Sequence, residues 1–265
     1  MDKKDRKAVE ALLGYTHHRL GFRPSAHNRA KLETKLGSLG LGARWPDLET
    51  FVRDLDAGDA EARDLLVKTI TVNHTFFFRE PDQIEALAAS VKSRGIAEPK
   101  IWSAASSTGE EAYSLAIHLL EKGITSFRLV ASDVNPRVLS QVDRGIYQEN
   151  RLEKVPRHLR LKYFTRTEEG GWQVVPDLRQ RVAVKRVNLL DPVRFHEPFD
   201  YIFCRNVFIY FDEASRLQVL GTLAANLKVG GTLYLGVTEA LLEVPPQFVM
   251  ESHATYRRVA DTGRR

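Results

Sequence analysis

From Lys100 onward the chain alternates short β-rich runs with helical stretches: IWSA, a helix through Glu110 to Glu121, FRLVASD, then a helix after Pro136. Parallel neighbours in a sheet need a long crossover between them, usually a helix, so this alternation predicts an α/β fold with a doubly wound, mostly parallel sheet. It resumes with VAVKRVNLL, FDYIFC, a helix from Glu213 to Leu227, the turn Lys228-Val-Gly-Gly and the run TLYLGV. Between Gly145 and Arg186 it fails. There the residues read as a helical turn followed by the hairpin KYFTRTEEGGWQVV with Glu-Gly-Gly at its tip, a small antiparallel insertion over 145–186.

Upstream the texture is helical. Apolar residues recur at three- and four-residue spacing (Val9, Leu12, Leu13; Leu48, Phe51, Val52, Leu55), with breaks at Leu36-Gly-Ser-Leu-Gly-Leu-Gly and Ala57-Gly. This predicts a small N-terminal helical domain over 1–70. A connector over 71–98 follows, with a polar-aromatic segment up to Glu80 and a helix that opens on Pro81 and stops at Gly95. Residues 99–265 form the sheet domain with its insertion.

No apolar run approaches the roughly 18 residues of a membrane span, and the start MDKKDRKAVE has no apolar stretch behind it for a signal peptide, so a cytoplasmic location is expected. The single cysteine, Cys204, lies in the apolar run FDYIFC and reads as a buried thiol. The net charge of +5 is unevenly placed. Between Asp143 and Val187 there are eleven Lys or Arg against six Asp or Glu, and the rest of the chain is neutral. Such a basic segment suits an acidic protein or a nucleic acid.

In an open parallel sheet, ligands bind beyond the carboxyl ends of the strands, where the strand order reverses. Four strand ends matter here. Ser103-Ala-Ala-Ser-Ser-Thr-Gly-Glu-Glu offers small residues and a helix start, but neither G-x-G-x-x-G nor a Gly-Lys-Ser/Thr phosphate loop. Asp133 ends its strand twenty-four residues beyond Gly109, about the spacing at which a carboxylate accepts ribose hydroxyls. Asn188-Leu189 offers an amide and an apolar face. Cys204-Arg-Asn-Val-Phe-Ile-Tyr releases a cation, an amide and a phenol. Together they favour a nucleoside ligand. In Asn73-His-Thr-Phe-Phe-Phe-Arg-Glu the three aromatics are expected to pack, while Asn73, Thr75 and Arg79 line a cleft.

The segments NHTFFFRE, IWSAASSTGEEAYSLAI, ASDVNPRVL, GIYQENRLE, VNLLD, FDYIFCRNVFIYFD and LKVGGTLYLGVTE follow the order and spacing of the CheR family, and the chain resembles that family over almost its whole length. The resemblance implies a class I methyltransferase-like fold that uses S-adenosylmethionine, releases S-adenosylhomocysteine, and methylates glutamate side chains of chemotaxis receptors. It implies a cofactor pocket lined by Asn73, Thr75, Arg79, Glu111, Asp133, Asn188, Leu189, Arg205 and Asn206. Asp133 would hold the ribose, Asn188 and Leu189 the adenine, and Glu111 the methionine ammonium. Arg79 and Tyr210 would act in catalysis by orienting the acceptor carboxylate, although Arg79 has an alternative partner in the cofactor's own carboxylate.

Two departures stand out. The family often has Gly-His-Ser-Glu where this chain has Gly236-Val-Thr-Glu, and its basic receptor-docking helix is here diluted to Arg29, Lys31 and Lys35 by Glu33 and Thr34. The expected partners are the cytoplasmic domains of receptors, met directly by the basic insertion. The protein would be a monomer, at the membrane only through receptors, with no nucleic acid and no metal. One rival is a methyltransferase acting on another protein or on nucleic acid, which the sequence pI of about 9.3 allows. The chain lacks, however, the Asn/Asp-Pro-Pro-aromatic tetrapeptide shared by amino-methylating DNA enzymes. Another is a non-catalytic S-adenosylmethionine-binding signalling module, which loss of Arg79 or Asp133 would favour; both are present.

Overall fold

The computed structural model describes residues 3–22, 26–37 and 39–260. Lys31 of the diluted basic helix and the histidine at 27 have side chains outside the described residues. The chain forms two compact units, Met1–Val72 with Phe208–Val219, and Asn73–Val207 with Leu220–Arg265.

The first unit contains α1 (Lys3–Leu20), α2 (Ala26–Gly37), α3 (Leu48–Asp56) and α4 (Ala60–Ile70). Asp47 and Asp59 cap α3 and α4 by accepting from the N–H groups of Thr50 and Ala62. The predicted periodicity becomes the core: Val9, Leu12, Leu36, Phe51, Leu55, Leu66 and Ile70 are buried together.

In the second unit α5 (Pro81–Ser93) precedes β1 (Lys100–Ala104), α6 (Glu110–Glu121), β2 (Arg128–Asp133) and α7 (Pro136–Arg144). The insertion follows, with β3 (Ile146–Tyr147), α8 (Arg157–Tyr163), β4 (Phe164–Arg166), β5 (Trp172–Val174) and α9 (Pro176–Arg179). Then come β6 (Val182–Arg186), β7 (Phe199–Cys204), α10 (Glu213–Asn226), whose residues up to Val219 belong to the first unit, β8 (Leu227–Leu235), β9 (Phe248–Ser252) and β10 (Thr255–Arg258).

Seven strands form one sheet in the order β6-β2-β1-β7-β8-β10-β9. It is parallel from β6 to β8, and β10 runs antiparallel to both β8 and β9. The chain runs outward from β1 through β2 to β6, then returns to β7 on the other side of β1, so the order reverses between β1 and β7. β7 is buried along its whole length, as a central parallel strand should be.

Two readings are corrected. Val182–Arg186 lies within the span given to the insertion, yet it pairs with β2 as an edge strand of the main sheet; the second sheet is the three-stranded β3-β5-β4. Lys228-Val-Gly-Gly is not a turn before the last parallel strand but part of β8. The register slips between Phe199↔Leu227 and Tyr201↔Thr232, a bulge in which a Cβ on Gly231 would sit 2.8 Å from the carbonyl oxygen of Lys228.

Candidate functional site

The loop after β1 bends through three residues with positive φ: Ala105 (57°), Ser107 (50°) and Gly109 (94°). It is held by Ser106 N–H on the Ser132 carbonyl (2.7 Å) and Ser107 N–H on Asp133 Oδ2 (3.0 Å). A Cβ on Gly109 would come within 3.0 Å of Tyr147 Oη and of Val142 Cγ2. Gly109 also opens α6 without any side-chain cap. Ser106 Oγ and Ser107 Oγ are buried with no hydrogen-bond partner. Two orphaned hydroxyls on a strained, side-chain-poor loop are the surroundings a polar ligand would complete.

Asp133 ends β2, and its second oxygen accepts from Asn135 N–H at 2.9 Å. Burial pushes its pKa up, against the pull of the N–H groups of Asn135, Ser107 and Val134. Even with these N–H groups bound, the carboxylate keeps acceptor capacity for a hydroxyl donor. Its backbone carbonyl accepts from Val187 N–H (3.1 Å), which brings the end of β6 alongside. There Leu189 is buried, while Asn188 closes its own turn, with Nδ2 donating to Asp191 Oδ1 (3.1 Å) and Oδ1 accepting from Leu190 N–H (3.3 Å).

Arg205, released by β7, is the hub of the site. Its side chain is 1% exposed. Nε donates to Glu111 Oε2 at 2.7 Å, and Nη1 meets the Arg79 carbonyl (2.9 Å), Gln83 Oε1 (3.2 Å) and Glu80 Oε2 (3.3 Å). Ser103 Oγ of β1 donates to the other oxygen of Glu111 at 2.6 Å. Asn206 stands at φ 60°, with its N–H on Glu239 Oε2 (2.5 Å) and Nδ2 on Glu80 Oε1 (3.4 Å). Glu239 Oε2 also accepts from Gly236 N–H, so one carboxylate joins the ends of β7 and β8. Burial raises the Cys204 thiol well above its ordinary range, in keeping with an inert cysteine.

Within NHTFFFRE, Phe77 is fully buried and packs edge-on against Tyr147 (5.0 Å) and Phe164 (5.5 Å). Phe78 takes φ 57°, and its N–H reaches Ser114 Oγ at 2.8 Å. Phe76 is half-buried and carries two cations, Lys154 Nζ 3.7 Å and Arg79 Cζ 5.4 Å from the ring centroid. Arg79 Nη1 donates to the His74 carbonyl at 3.2 Å, and Nε lies 4.0 Å from Glu80 Oε1. Asn73 and Thr75 are half-buried. Tyr210 belongs to the first unit, on the 3-10 turn Phe208–Tyr210, where its ring stacks on Phe22 at 5.2 Å.

Of the expected residues, Arg79, Glu111, Arg205 and Asn206 are thus joined in one network, and Asp133 anchors the loop beside it. Glu80, Gln83, Ser103 and Glu239 belong to the network and were missed. Glu80 and Glu239 close the NHTFFFRE and LKVGGTLYLGVTE segments, and their charge at the ends of two quoted motifs was the available signal. At Val237, in place of the family's imidazole, the carbonyl lies 2.7 Å from Nε2 of His253.

Four cations of the basic insertion are paired with carboxylates of the same unit. Arg160 (2.5 Å) and Arg166 (2.8 Å) pair with Glu149, Lys162 with Glu121 (2.7 Å), and Arg151 with Glu110. Lys154 and Arg157 have no carboxylate partner among the described residues.

Residues 73–257 match a family model described as the CheR methyltransferase, SAM binding domain. The chemotaxis protein methyltransferase of Borreliella burgdorferi is 30% identical over 88% of this chain and 88% of its own length. Chemotaxis protein methyltransferase 2 of Pseudomonas aeruginosa is 36% identical over 84% and 79%, and the chemotaxis protein methyltransferase of Escherichia coli 33% over 88% and 82%.

Proposed function

The chain belongs to the CheR methyltransferase family and is an S-adenosylmethionine-dependent methyltransferase, and from that premise we propose that it methylates glutamate side chains on the cytoplasmic domains of chemotaxis receptors. The products are glutamate methyl esters and S-adenosylhomocysteine, and the setting is sensory adaptation. The observation that carries the reading is the buried Arg205 network, which ties the connector bearing Arg79 to the strand ends where the order reverses. No helix among the described residues is long and apolar enough to cross a membrane. In this reading the enzyme works in the cytoplasm, at the membrane only through receptors.

When bound, the cofactor supplies a methyl group activated by its sulfonium. In this reading Asp133 accepts the ribose hydroxyls, Asn188 and Leu189 meet the adenine, and Glu111 faces the ammonium. Asn73, Thr75, Arg205 and Asn206 complete the pocket. A glutamate carboxylate, with an ordinary pKa of roughly 4.3, is already ionised near neutral pH, so no general base is required. The work left to the protein is alignment and exclusion of water, worth up to roughly 7–11 kcal/mol in ideal cases. Arg79 orients the acceptor carboxylate through two parallel bonds, and Tyr210 holds one oxygen. Receptor docking on the insertion is left to cations other than Arg151, Arg160, Lys162 and Arg166, which already hold carboxylates; Lys154 and Arg157 are among those left.

The test is incubation with radiolabelled S-adenosylmethionine and membranes bearing chemotaxis receptors. Base-labile label on a receptor-sized band is the expected result. Label on RNA would instead favour the nucleic-acid reading, and no label a non-catalytic module.

A further inference from the structure

We propose that Lys154 is a second substrate-binding cation of the methyl-accepting site, receiving a carboxylate of the acceptor protein beside the one that Arg79 orients. The proposal rests on the reading of Arg79 as the residue that orients the acceptor. Lys154 belongs to the insertion and Arg79 to the connector, yet both stand over the ring of Phe76, at 3.7 and 5.4 Å from its centroid. An exposed ammonium is strongly hydrated and gains little from a ring face. Holding it near a guanidinium adds like-charge repulsion.

That repulsion is only partly offset. Among the described residues Lys154 has no carboxylate partner, and the acid beside Arg79 is Glu80, at 4.0 Å. Glu80 is itself engaged, with Oε2 accepting from Arg205 and Oε1 from Asn206. Arg151, Arg160, Lys162 and Arg166 of the same insertion do hold carboxylates, whereas Lys154, like Arg157, holds none among the described residues. The two cations over Phe76 therefore form an electropositive patch that an incoming anion would relieve.

The chemistry of the acceptor follows. One carboxylate goes to the planar fork of Arg79, and Lys154, a point charge on a flexible stem, takes a neighbouring carboxylate at a less restricted angle. From Lys154 a cavity of about 550 Å³ continues along the insertion between Arg157, Arg160, Leu161 and Trp172, combining further positive charge with apolar surface. The fitting substrate is an acidic protein segment that presents a second carboxylate beside the methylated one. A segment with neutral or basic neighbours would be disfavoured.

The experiment measures initial rates against receptor concentration, using membranes from cells that overproduce one chemotaxis receptor, with radiolabelled S-adenosylmethionine across a salt series. Wild type, Lys154→Ala, Lys154→Arg and Arg79→Ala are compared, with cofactor affinity measured by calorimetry. Lys154→Ala should raise KM for the receptor about two- to fivefold, the range an exposed charge pair supports, and should flatten its salt dependence. The loss should fall on KM more than on kcat, cofactor affinity should hold, and Lys154→Arg should restore KM because a guanidinium also stacks and carries the charge. Wild-type KM and salt slope in Lys154→Ala would overturn the proposal and leave Arg79 untouched. A loss of cofactor affinity in Lys154→Ala would overturn it too. Wild-type turnover in Arg79→Ala would instead remove the reading beneath it.

Discussion

Replacing Arg205 by Met keeps the length and apolar stem of the side chain but removes the cation at the centre of the network. Glu80 and Glu111, with side chains only 12% and 11% exposed, would then keep their charges without the guanidinium that faces both. Stranding buried carboxylates in this way costs about 3–5 kcal/mol, a large share of the roughly 5–15 kcal/mol that holds a domain together. With a urea slope of about 2–3 kcal/mol per molar, the unfolding midpoint should fall by roughly 1–2.5 M. Adding Glu111→Gln to the Arg205→Met variant removes one stranded charge and should recover a measurable part of the loss. Because Arg205 also holds the Arg79 carbonyl at 2.9 Å, calorimetry should show weakened cofactor binding in the single variant. A midpoint loss equivalent to less than about 1 kcal/mol, or a double variant no more stable than the single one, would refute the charge-balance reasoning.

Three further outcomes are expected. Asp133→Asn should weaken S-adenosylmethionine by about one to two decades, from the roughly 1.5–3 kcal/mol of a charged hydrogen bond; unchanged calorimetric affinity would remove Asp133 from the ribose site. Gly109→Ala places a side chain at φ 94° with Tyr147 Oη and Val142 Cγ2 only 3.0 Å from the new Cβ, and should cost about 1–3 kcal/mol, visible as a lower melting temperature. In the first unit, Asp212 Oδ2 lies 2.6 Å from His17 Nε2, and Oδ1 accepts from Ser215 N–H; the hydrogen bond from His17, then the one from Ser215, hold its carboxyl below the usual range. A depressed carboxyl pKa gives stability that is present above the unfolded value of about 3.9 and lost as pH falls through the folded one. Asp212→Asn should therefore cost about 1 kcal/mol at neutral pH, with the deficit closing below about pH 4; denaturation curves offset equally at every pH would contradict this.

The strand-helix alternation was legible because it is a one-dimensional pattern, and the ends of β1, β2, β6 and β7 follow from it as the expected ligand positions by a topological rule. What depends on three-dimensional pairing was not. The charge of the insertion sums correctly from residue types, but Glu110 and Glu121, which neutralise Arg151 and Lys162, come from α6, some forty positions away in sequence. Lys228-Val-Gly-Gly has the composition of a turn, and only the approach of the Lys228 and Asp200 carbonyls to Gly231 shows why a strand bulge needs the same glycines.

The hardest feature to read was strain. Phe78, Glu80, Ala105, Ser107 and Asn206 all take positive φ without being glycine, in the connector and at the ends of β1 and β7. Residue-type rules assign such conformations to Gly, and each costs about 1–3 kcal/mol unless its surroundings impose it. Here they do. Glu80 and Asn206 are held by Arg205 and Glu239, Phe78 by Ser114, and Ser107 by Asp133. Two of the residues that would hold the cofactor, Asp133 and Arg205, also hold the backbone in strained form, which couples the two roles: removing either side chain would alter the shape of the proposed pocket as well as its contacts.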